Sequence, residues 1–220
     1  SDGKPLNITE KDLDLTMDRI RCSILEWSDP SERNTNFSLR MSNIGKPARQ
    51  LWFEKNKPME NARHSAATQV KFLYGHILEE IVLMLVRAAG HTVTDEQKEV
   101  ELNGIKGHMD CKIDGEVIDI KTASGFAFKK FKNGTLREDD PFGYLSQLAG
   151  YEKAEGTDNG GFLVINKESG ELTLYQPEEL DKPNVESLIG SIIKLIFNVG
   201  KPPEKCYSPV PAGTKGNMKL

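Results

Sequence analysis

The spacing of apolar residues divides the chain into a helical first part and a second part that is rich in short strands. Apolar positions recur every three to four residues between Thr9 and about Trp27, which predicts an amphipathic helix with Thr9 as its N-cap. A second helix is predicted from Ser42 to Asn56. A third, longer helix is predicted from Ala66 to Ala89, and Gly90 closes it, because glycine is the preferred residue just after a helix.

After Gly90 the apolar pattern changes to the two-residue period of β-strands. Asn103-Gly104 and Asp114-Gly115 are strong hairpin signals, because these residues tolerate a positive φ. They separate three predicted strands, at 92–102, 105–113 and 116–122. We expect these strands to pair as an antiparallel meander.

The remainder of the chain adds helices and further strands. Asp140-Pro141 is predicted to open a helix that runs to about Glu155, because proline suits the first helical position. Two strands at 161–166 and 171–176 and a helix at 185–199 follow. The predicted fold class is α/β, with a mixed central β-sheet (the antiparallel meander plus the further strands) flanked by helices.

Length and composition favour a single domain. A chain of 220 residues with 37% hydrophobic and 28% charged residues can bury one core of ordinary size. We expect a helical N-terminal part at about 1–65 and a core at about 66–200. The residues at 201–220 are rich in proline and glycine and are expected to form a loosely ordered tail.

The cysteines and the apolar segments exclude several classes of protein. Cys22, Cys111 and Cys206 are odd in number and far apart, which argues against a disulfide framework and against a zinc or iron–sulfur site. No apolar stretch approaches the roughly 18 to 20 residues that span a bilayer, and the N-terminus has no signal-peptide pattern. We therefore expect an intracellular protein with no membrane partner.

Charge is distributed unevenly along the chain. The net charge of −4 argues against indiscriminate binding to nucleic acids. However, Arg33 to Lys71 contains eight basic and two acidic residues, and Lys121 to Arg137 contains five basic residues and no acidic one. Such stretches are either solvated faces or phosphate-binding surfaces. The second alternative would be favoured if the protein also had a site that acts on a phosphate-containing substrate.

Two acidic residues and a lysine are predicted to meet in the hairpin around Asp114-Gly115. Side chains alternate along a strand, so His108 and Asp110 share one face of their strand, as do Asp119 and Lys121. The surrounding residues are apolar, and buried charges are costly unless they are paired or bind a metal. The alternative is an ordinary ion pair between Asp119 and Lys121 on the surface of a strand.

A third carboxylate lies in the long helix. Glu79 has apolar residues three, four and seven positions later, so its side chain is expected to point into the apolar stripe. A metal ion shared with Asp110 and Asp119 would supply the partner that such a carboxylate needs. The alternative is that Glu79 reaches solvent at the edge of the stripe.

A later helix completes the set of candidate site residues. Gln147 and Tyr151 are four positions apart, so their side chains lie on one face of this helix.

In this order the motifs resemble those of the PD-(D/E)xK nuclease superfamily, and in particular the branch that holds RecB-type nuclease domains, lambda exonuclease and the mitochondrial genome maintenance exonuclease. The four motifs are Gly75-His-Ile-Leu-Glu79, Gly107-His-Met-Asp110, Asp119-Ile-Lys121 and Gln147-Leu-Ala-Gly-Tyr151. The resemblance covers about residues 40–166 and implies a restriction-endonuclease-like core. Iron–sulfur members of the branch carry four cysteines, so no cluster is expected here.

The resemblance implies that the protein hydrolyses phosphodiester bonds with Mg²⁺ or Mn²⁺. The expected ligands of one or two ions are Glu79, Asp110, Asp119 and the main-chain carbonyl of Ile120. The catalytic set also includes Lys121, Gln147 and Tyr151, and His108 is expected to support Asp110.

The basic stretches then gain a role as contacts to DNA. The segment from Ser42 to Arg49 resembles the N-terminal segment that in relatives lies near the DNA end. Phe128 stands among lysines, a combination suited to base stacking and phosphate contact. The expected nucleic-acid contacts, all independent of base sequence, are Arg40, Ser42, Lys46, Arg49, Phe128, Lys129, Lys130 and Lys132.

The favoured function is that of an exonuclease acting at DNA ends in recombination, repair or phage DNA metabolism, where a recombination or replication protein would be a further partner. One alternative is a structure-specific endonuclease of the same fold. Another is a non-catalytic nucleic-acid-binding protein. Strand preference and oligomeric state stay open at this point.

Overall fold

The fold is described from a computed structural model, which covers residues 5–28, 37–57, 65–197, 200–205, 210–212 and 217–219. The helices are α1 (Glu10–Ser28), α2 (Ala48–Asn56), α3 (Ala66–Ala88), α4 (Gly125–Lys132), α5 (Tyr144–Glu155) and α6 (Val185–Phe197). The strands are β1 (Val93–Thr94), β2 (Lys98–Leu102), β3 (Ile105–Met109), β4 (Cys111–Ile113), β5 (Glu116–Ala123), β6 (Gly161–Asn166), β7 (Leu172–Tyr175), β8 (Val210–Ala212) and β9 (Asn217–Lys219). Cys206 lies outside the described residues.

A mixed five-stranded sheet organises the molecule, with the order β1-β4-β5-β6-β7. Strands β5 and β6 pair in parallel, and the other neighbours pair antiparallel. Strands β2 and β3 form a separate antiparallel hairpin. The predicted α/β class with a mixed central sheet and flanking helices is confirmed. In the described residues, no helix is both long enough and apolar enough to pass through a bilayer.

The expected continuous meander is wrong in detail, because two of its three predicted strands are broken. Asp95 and Gln97, with φ of 52° and 53°, separate β1 from β2, and a strand cannot continue through a positive φ. Asp110 separates β3 from β4. Both predicted hairpin turns are confirmed, since the residues of Asn103-Gly104 and Asp114-Gly115 all have positive φ.

The predicted helix starts are confirmed for α1, α3 and α6 and are wrong for α2 and α5. The Thr9 hydroxyl accepts a hydrogen bond of 3.2 Å from the backbone N–H of Asp12, so the predicted N-cap is confirmed. The second helix begins at Ala48 instead of Ser42, directly after Pro47, which lacks the N–H that a preceding helical turn would require.

Helix α5 begins at Tyr144, three residues later than Pro141. The intervening Gly143 has a φ of 73°, and a Cβ on it would lie 2.4 Å from the Cα of Gly45. Only glycine permits this conformation and this close approach. The Asp140 carboxylate then accepts hydrogen bonds from the backbone N–H groups of Tyr144 and Leu145, which satisfies two donors of the first helical turn.

Two apolar cores lie on the two faces of the sheet. Val82 and Leu83 of α3 pack against Ile118 and Ile120 of β5 on one face. The larger core on the other face lies beneath α4, α5 and α6 and includes Val117 and Ala123 of β5. Because side chains alternate along a strand, Asp119 and Lys121 share the α5 face with Val117 and Ala123. Strand β5 therefore carries charged and apolar residues on the same face.

Candidate active site

The sheet has an open edge beside the second half of β5. Strand β4 pairs only with residues 116–118 of β5, so among the described elements Ile120 has a paired strand on its β6 side alone. Asp110, which precedes β4, occupies this edge, and its Oδ2 accepts a hydrogen bond of 2.7 Å from the backbone N–H of Ile120. The N–H and carbonyl of a strand residue point to the same edge, so the Ile120 carbonyl is directed towards this gap as well.

Asp119 and Lys121 form an ion pair next to this edge. Asp119 is 1% exposed, and the Lys121 Nζ lies 2.5 Å from its Oδ2. Neither oxygen of Asp119 has a hydrogen bond of acceptable geometry within the described part of the chain. A buried carboxylate with unsatisfied oxygens is costly, so Asp119 is suited to bind a cation in addition to Lys121.

The Lys121 ammonium is held in its charged form. Burial lowers the pKa of this group, but the carboxylates of Asp119 and Asp110 outweigh burial, and the pKa lies above its ordinary value. Lys121 therefore carries a positive charge near neutral pH. The Nζ also lies 5.1 Å from the ring centroid of Tyr144, whose negative face attracts a cation.

Glu79 of α3 is electrostatically linked to the same cluster. Burial, followed by repulsion from Asp110, raises its pKa from 4.5 to about 8. Burial, followed by repulsion from Asp119, raises the pKa of Asp110 from 3.8 to about 7. The three predicted acidic residues therefore lie near enough to oppose one another's ionisation.

Gln97 is a site residue that the sequence analysis did not single out. Its side-chain amide donates a hydrogen bond of 2.9 Å to the carboxylate of Glu79, and its backbone N–H donates one of 2.9 Å to the carbonyl of Asp110. The neighbouring Glu96 accepts hydrogen bonds from Arg19 and Arg87, which anchors this turn to α1 and α3. No sequence signal marks Gln97, because glutamine is not a residue that favours a positive φ.

Gln147 and Tyr151 interact with each other and hold the end of β3. The Gln147 amide donates to the Tyr151 hydroxyl at 3.0 Å, and that hydroxyl donates to the main-chain carbonyl of His108 at 2.7 Å. Burial raises the pKa of Tyr151 to about 12, so the phenol remains a donor. A Cβ on Gly107 would lie 2.9 Å from the Tyr151 ring, which explains glycine two residues after the strand begins. Together these contacts fix the strand that leads into Asp110.

The expectation that the His108 side chain supports Asp110 is wrong. Strand β3 ends at Met109, so the alternation of faces does not extend from His108 to Asp110. The imidazole is 60% exposed and lies 3.8 Å from Glu99 instead. Only the backbone carbonyl of His108 takes part in the site, through Tyr151.

Phe128 is not available for base stacking. It is 2% exposed in the core, because residues 125–132 form the amphipathic helix α4, for which no element was predicted. Ser124 as N-cap and the three-residue spacing of Phe128 and Phe131 were the available signals. Among the predicted lysines, Lys129 is exposed, Lys130 pairs with Asp139 and Lys132 pairs with Glu171.

The predicted N-terminal contacts are not part of the cleft at the acidic cluster. Arg40 and Ser42 are exposed. The Lys46 Nζ lies 3.0 Å from Glu54, and Arg49 donates a hydrogen bond to the carbonyl of Pro203. Their segment nevertheless approaches the start of α5, since Gly45 contacts Gly143. A role of these four residues in binding DNA stays a prediction.

An open cleft of about 820 Å³ lies over the site and is lined by Glu79, Ile120 and Lys121. Its wall carries three basic side chains that were not predicted, Lys71, His76 and Lys167. Within the described residues, none of the three has an acidic side chain at ion-pair distance. Lys71 and His76 lie on α3, whereas Lys167 follows β6 about 90 residues later, so sequence spacing could not bring all three together. A phosphate in this cleft would meet cations on several sides.

The chemistry of the cluster fits a divalent cation with oxygen ligands. Carboxylates and a main-chain carbonyl are the donors that Mg²⁺ and Mn²⁺ prefer. The unsatisfied oxygens of Asp119 and the raised pKa values of Glu79 and Asp110 indicate an excess of negative charge that a cation would neutralise. No three His, Cys, Asp or Glu side chains of the described residues form a preassembled ligand group. The carboxylates interact over longer distances, and Asp119 and Glu79 have Lys121 and Gln97 as their nearest polar partners.

The raised pKa values predict that stability decreases with rising pH. Glu79 and Asp110 hold protons in the folded state up to about pH 7 to 8 but release them near pH 4 when unfolded. The folded state therefore binds more protons in this window, and the free energy of unfolding should decrease as pH rises through it. Since Mg²⁺ would bind the ionised carboxylates, it should restore stability at pH 8 but not at pH 5.

Urea unfolding at a series of pH values, with EDTA or with Mg²⁺, would measure both effects. Glu79→Gln is the matched variant, because it removes one of the two titrating groups and should make the decrease with pH shallower. Equal stability at pH 5 and 8 in EDTA, or no gain from Mg²⁺ at pH 8, would contradict this interpretation of the cluster.

No protein-family model matches the chain, and no curated protein matches it in sequence. Solved structures are similar to it at low identity. The crystal structure of a protein designated SSO0001 has 15% identity and a TM-score of 0.43, covering 86% of this chain and 88% of that chain.

Two further similar structures are exonucleases. An alkaline exonuclease (LHK-Exo) from Laribacter hongkongensis has 13% identity and a TM-score of 0.40, covering 70% of this chain and 89% of that chain. A phage-related exonuclease from Haemophilus somnus 129PT has 14% identity and a TM-score of 0.44, covering 71% of this chain and 89% of that chain. At these identities and TM-scores, the similarities do not assign a function to this chain.

Proposed function

We propose that this protein is a Mg²⁺- or Mn²⁺-dependent deoxyribonuclease of the PD-(D/E)xK type that degrades DNA from its ends. The observation that supports the proposal most directly is the acidic cluster of Glu79, Asp110 and Asp119 with Lys121 at an open sheet edge. Structural ion pairs seldom leave a carboxylate buried with unsatisfied oxygens, and groups with strongly shifted pKa values are concentrated at functional sites.

In the proposed reaction Glu79, Asp110, Asp119 and the Ile120 carbonyl would hold one or two ions. When bound, such ions activate water as a nucleophile and neutralise charge on the phosphate. Asp110 has a second task, because its hydrogen bond to the Ile120 N–H ties the two strands together at the edge of the cleft. Gln97 links Glu79 to Asp110, since its side chain donates to the Glu79 carboxylate and its backbone N–H donates to the Asp110 carbonyl.

In this proposal Lys121 contributes through the positive charge of its ammonium group. Its pKa lies above the ordinary value, so it remains protonated and is suited to stabilise the negative charge that develops on the phosphate oxygens. It is not suited to remove a proton from water. The ion pair with Asp119 positions the ammonium before substrate binds, which lowers the cost of reorganisation in the transition state.

Gln147 and Tyr151 support the site as positioning residues. The Tyr151 hydroxyl is already engaged with the His108 carbonyl, which holds the chain just before Asp110. The Gln147 amide donates to that hydroxyl and so helps to orient it. DNA contacts would be supplied by Lys71, His76 and Lys167, and by the predicted residues Lys129 and Lys130.

Digestion of DNA with and without free ends tests the proposed function. We expect end-labelled linear DNA to be degraded with Mg²⁺ or Mn²⁺ and to stay intact with EDTA, and circular single-stranded DNA to stay intact throughout. Cleavage of the circles would identify an endonuclease instead. Absence of hydrolysis with both metals would favour a non-catalytic nucleic-acid-binding protein, and hydrolysis that persists in EDTA would exclude the proposed chemistry.

A further inference from the structure

An exposed aromatic ring stands beside the cleft in a rigid setting. Phe142 is 63% exposed, although it directly precedes the left-handed Gly143 and the start of helix α5 at Tyr144. Its ring stacks on Tyr144, with centroids 5.4 Å apart and an interplanar angle of 26°. Tyr144 in turn packs against Phe131 of the core, at a centroid distance of 5.9 Å. We call Phe142 and Tyr144 the aromatic platform.

The backbone around the platform is fixed. The close approach of Gly143 to Gly45 and the hydrogen bonds from Tyr144 and Leu145 to the Asp140 carboxylate hold both ends of the segment. An exposed phenylalanine on a mobile loop would have no preferred orientation. Here the outer face of the ring has a defined position before a ligand binds. Stacking of a planar ligand would therefore cost the protein little conformational entropy.

The platform separates two clefts. The larger one contains Glu79 and Lys121, and a smaller one of about 240 Å³ extends towards Lys130 and Asp139. Phe142, Tyr144, Lys121 and Lys167 line both. The small cleft is too small for a base pair with its backbone, whereas a single unpaired nucleotide is compatible with it. A phosphate near Lys121 would therefore have its attached nucleoside beside an aromatic face and a cation.

We propose that the aromatic platform stacks on the unpaired nucleobase next to the phosphate that is cleaved, so that the substrate is single-stranded DNA or a frayed end. The inference rests on the proposed nuclease function and adds the substrate class to it. Stacking on an aromatic side chain is tolerant of base identity, because every base has a π-face. The cations around the platform bind the backbone without reading bases, which gives the same tolerance.

The binding test uses wild-type protein in EDTA, so that no hydrolysis is expected. The probes are single-stranded oligonucleotides that carry the fluorescent base 2-aminopurine at the 5′ or the 3′ terminal position, since its emission falls when it stacks. We expect quenching with wild type, loss of quenching and about 10-fold weaker binding with Phe142→Ala, and recovery with Phe142→Trp. Phe197→Ala is the matched control, because Phe197 is 53% exposed and lines a different cleft.

The activity test compares oligonucleotides that end in a normal or an abasic nucleotide, with Mg²⁺. Wild type should cleave the abasic end about 10-fold more slowly, and Phe142→Ala should not distinguish the two. Equal quenching by wild type and Phe142→Ala, or none by wild type, would overturn the platform while leaving any Mg²⁺-dependent hydrolysis unaffected. Quenching without hydrolysis would instead retain the platform and reject the nuclease.

Discussion

The variant Asp119→Asn is expected to hydrolyse DNA about 1,000-fold more slowly than wild type, or slower still, in Mg²⁺. Asparagine keeps the size and shape of the side chain but removes the negative charge that attracts a cation. Asp119 is 1% exposed and its Oδ2 lies 2.5 Å from the Lys121 ammonium, so the substitution removes one proposed metal ligand and the carboxylate that holds this cation. The measurement is the initial rate on end-labelled single-stranded DNA at saturating Mg²⁺.

A carboxylate in the same strand provides the control for Asp119. Glu116 lies in β5 as well, but its side chain accepts a hydrogen bond from Gln176, away from the cluster. Glu116→Gln should therefore cleave at the wild-type rate. Circular dichroism and thermal melting would show that both variants are folded. An Asp119→Asn rate within 10-fold of wild type, in a folded protein, would remove Asp119 from the catalytic site.

The second large effect is expected for Lys121→Met, which should lower the rate of hydrolysis by about 100- to 1,000-fold. Methionine retains most of the apolar length of lysine but removes the ammonium that faces Asp119 and Asp110. The substitution should lower kcat more than it weakens DNA binding, because the charge is directed at the reacting phosphate. The removed cation also opposes the raised pKa values of the acids, so the rate should reach its maximum at a higher pH than in wild type.

Measurement of kcat and KM from pH 6 to 9 tests this role of Lys121. Lys153→Met is the matched control, because Lys153 lies on α5 with a side chain that is 55% exposed and pairs with Glu186 on the surface. This control should leave both constants unchanged. If Lys121→Met raised KM and left kcat unaltered, Lys121 would be a DNA-binding residue and its proposed role in the transition state would be wrong.

Much of the fold was accessible from local patterns. Thr9, the two hairpin turns and the end of α3 at Gly90 follow from the preferences of single residues for a cap or for a positive φ, and the structure has them where expected. Strand β6 was predicted at its observed bounds, because a short apolar run between turn residues is a local signal.

The errors occurred where contacts between distant residues overrode local signals. Pro141 suited a helix start, but the backbone contact of Gly143 with Gly45 delays the helix to Tyr144. Phe128 among lysines suited base stacking, but helix α4 packs it into the core. His108 and Asp110 suited one face of a strand that in fact ends between them. In each case the local pattern is present in the sequence, but the tertiary structure places the residues in an environment other than the predicted one.

By itself, the sequence determined which residues are proposed to carry the chemistry. Glu79, Asp110, Asp119 and Lys121 were identified because charged residues in apolar strands and helix stripes are costly without a partner. Only the tertiary structure decided how they are supported. Gln97 contacts Glu79 and Asp110 through a turn with positive φ. Phe142 lies within the crossover between β5 and β6, and Lys167 directly follows β6, yet both line one cleft. The physical reason is that periodicity and caps act over a few residues, whereas a cleft is formed by chain segments whose proximity depends on the packing of the whole sheet and its helices.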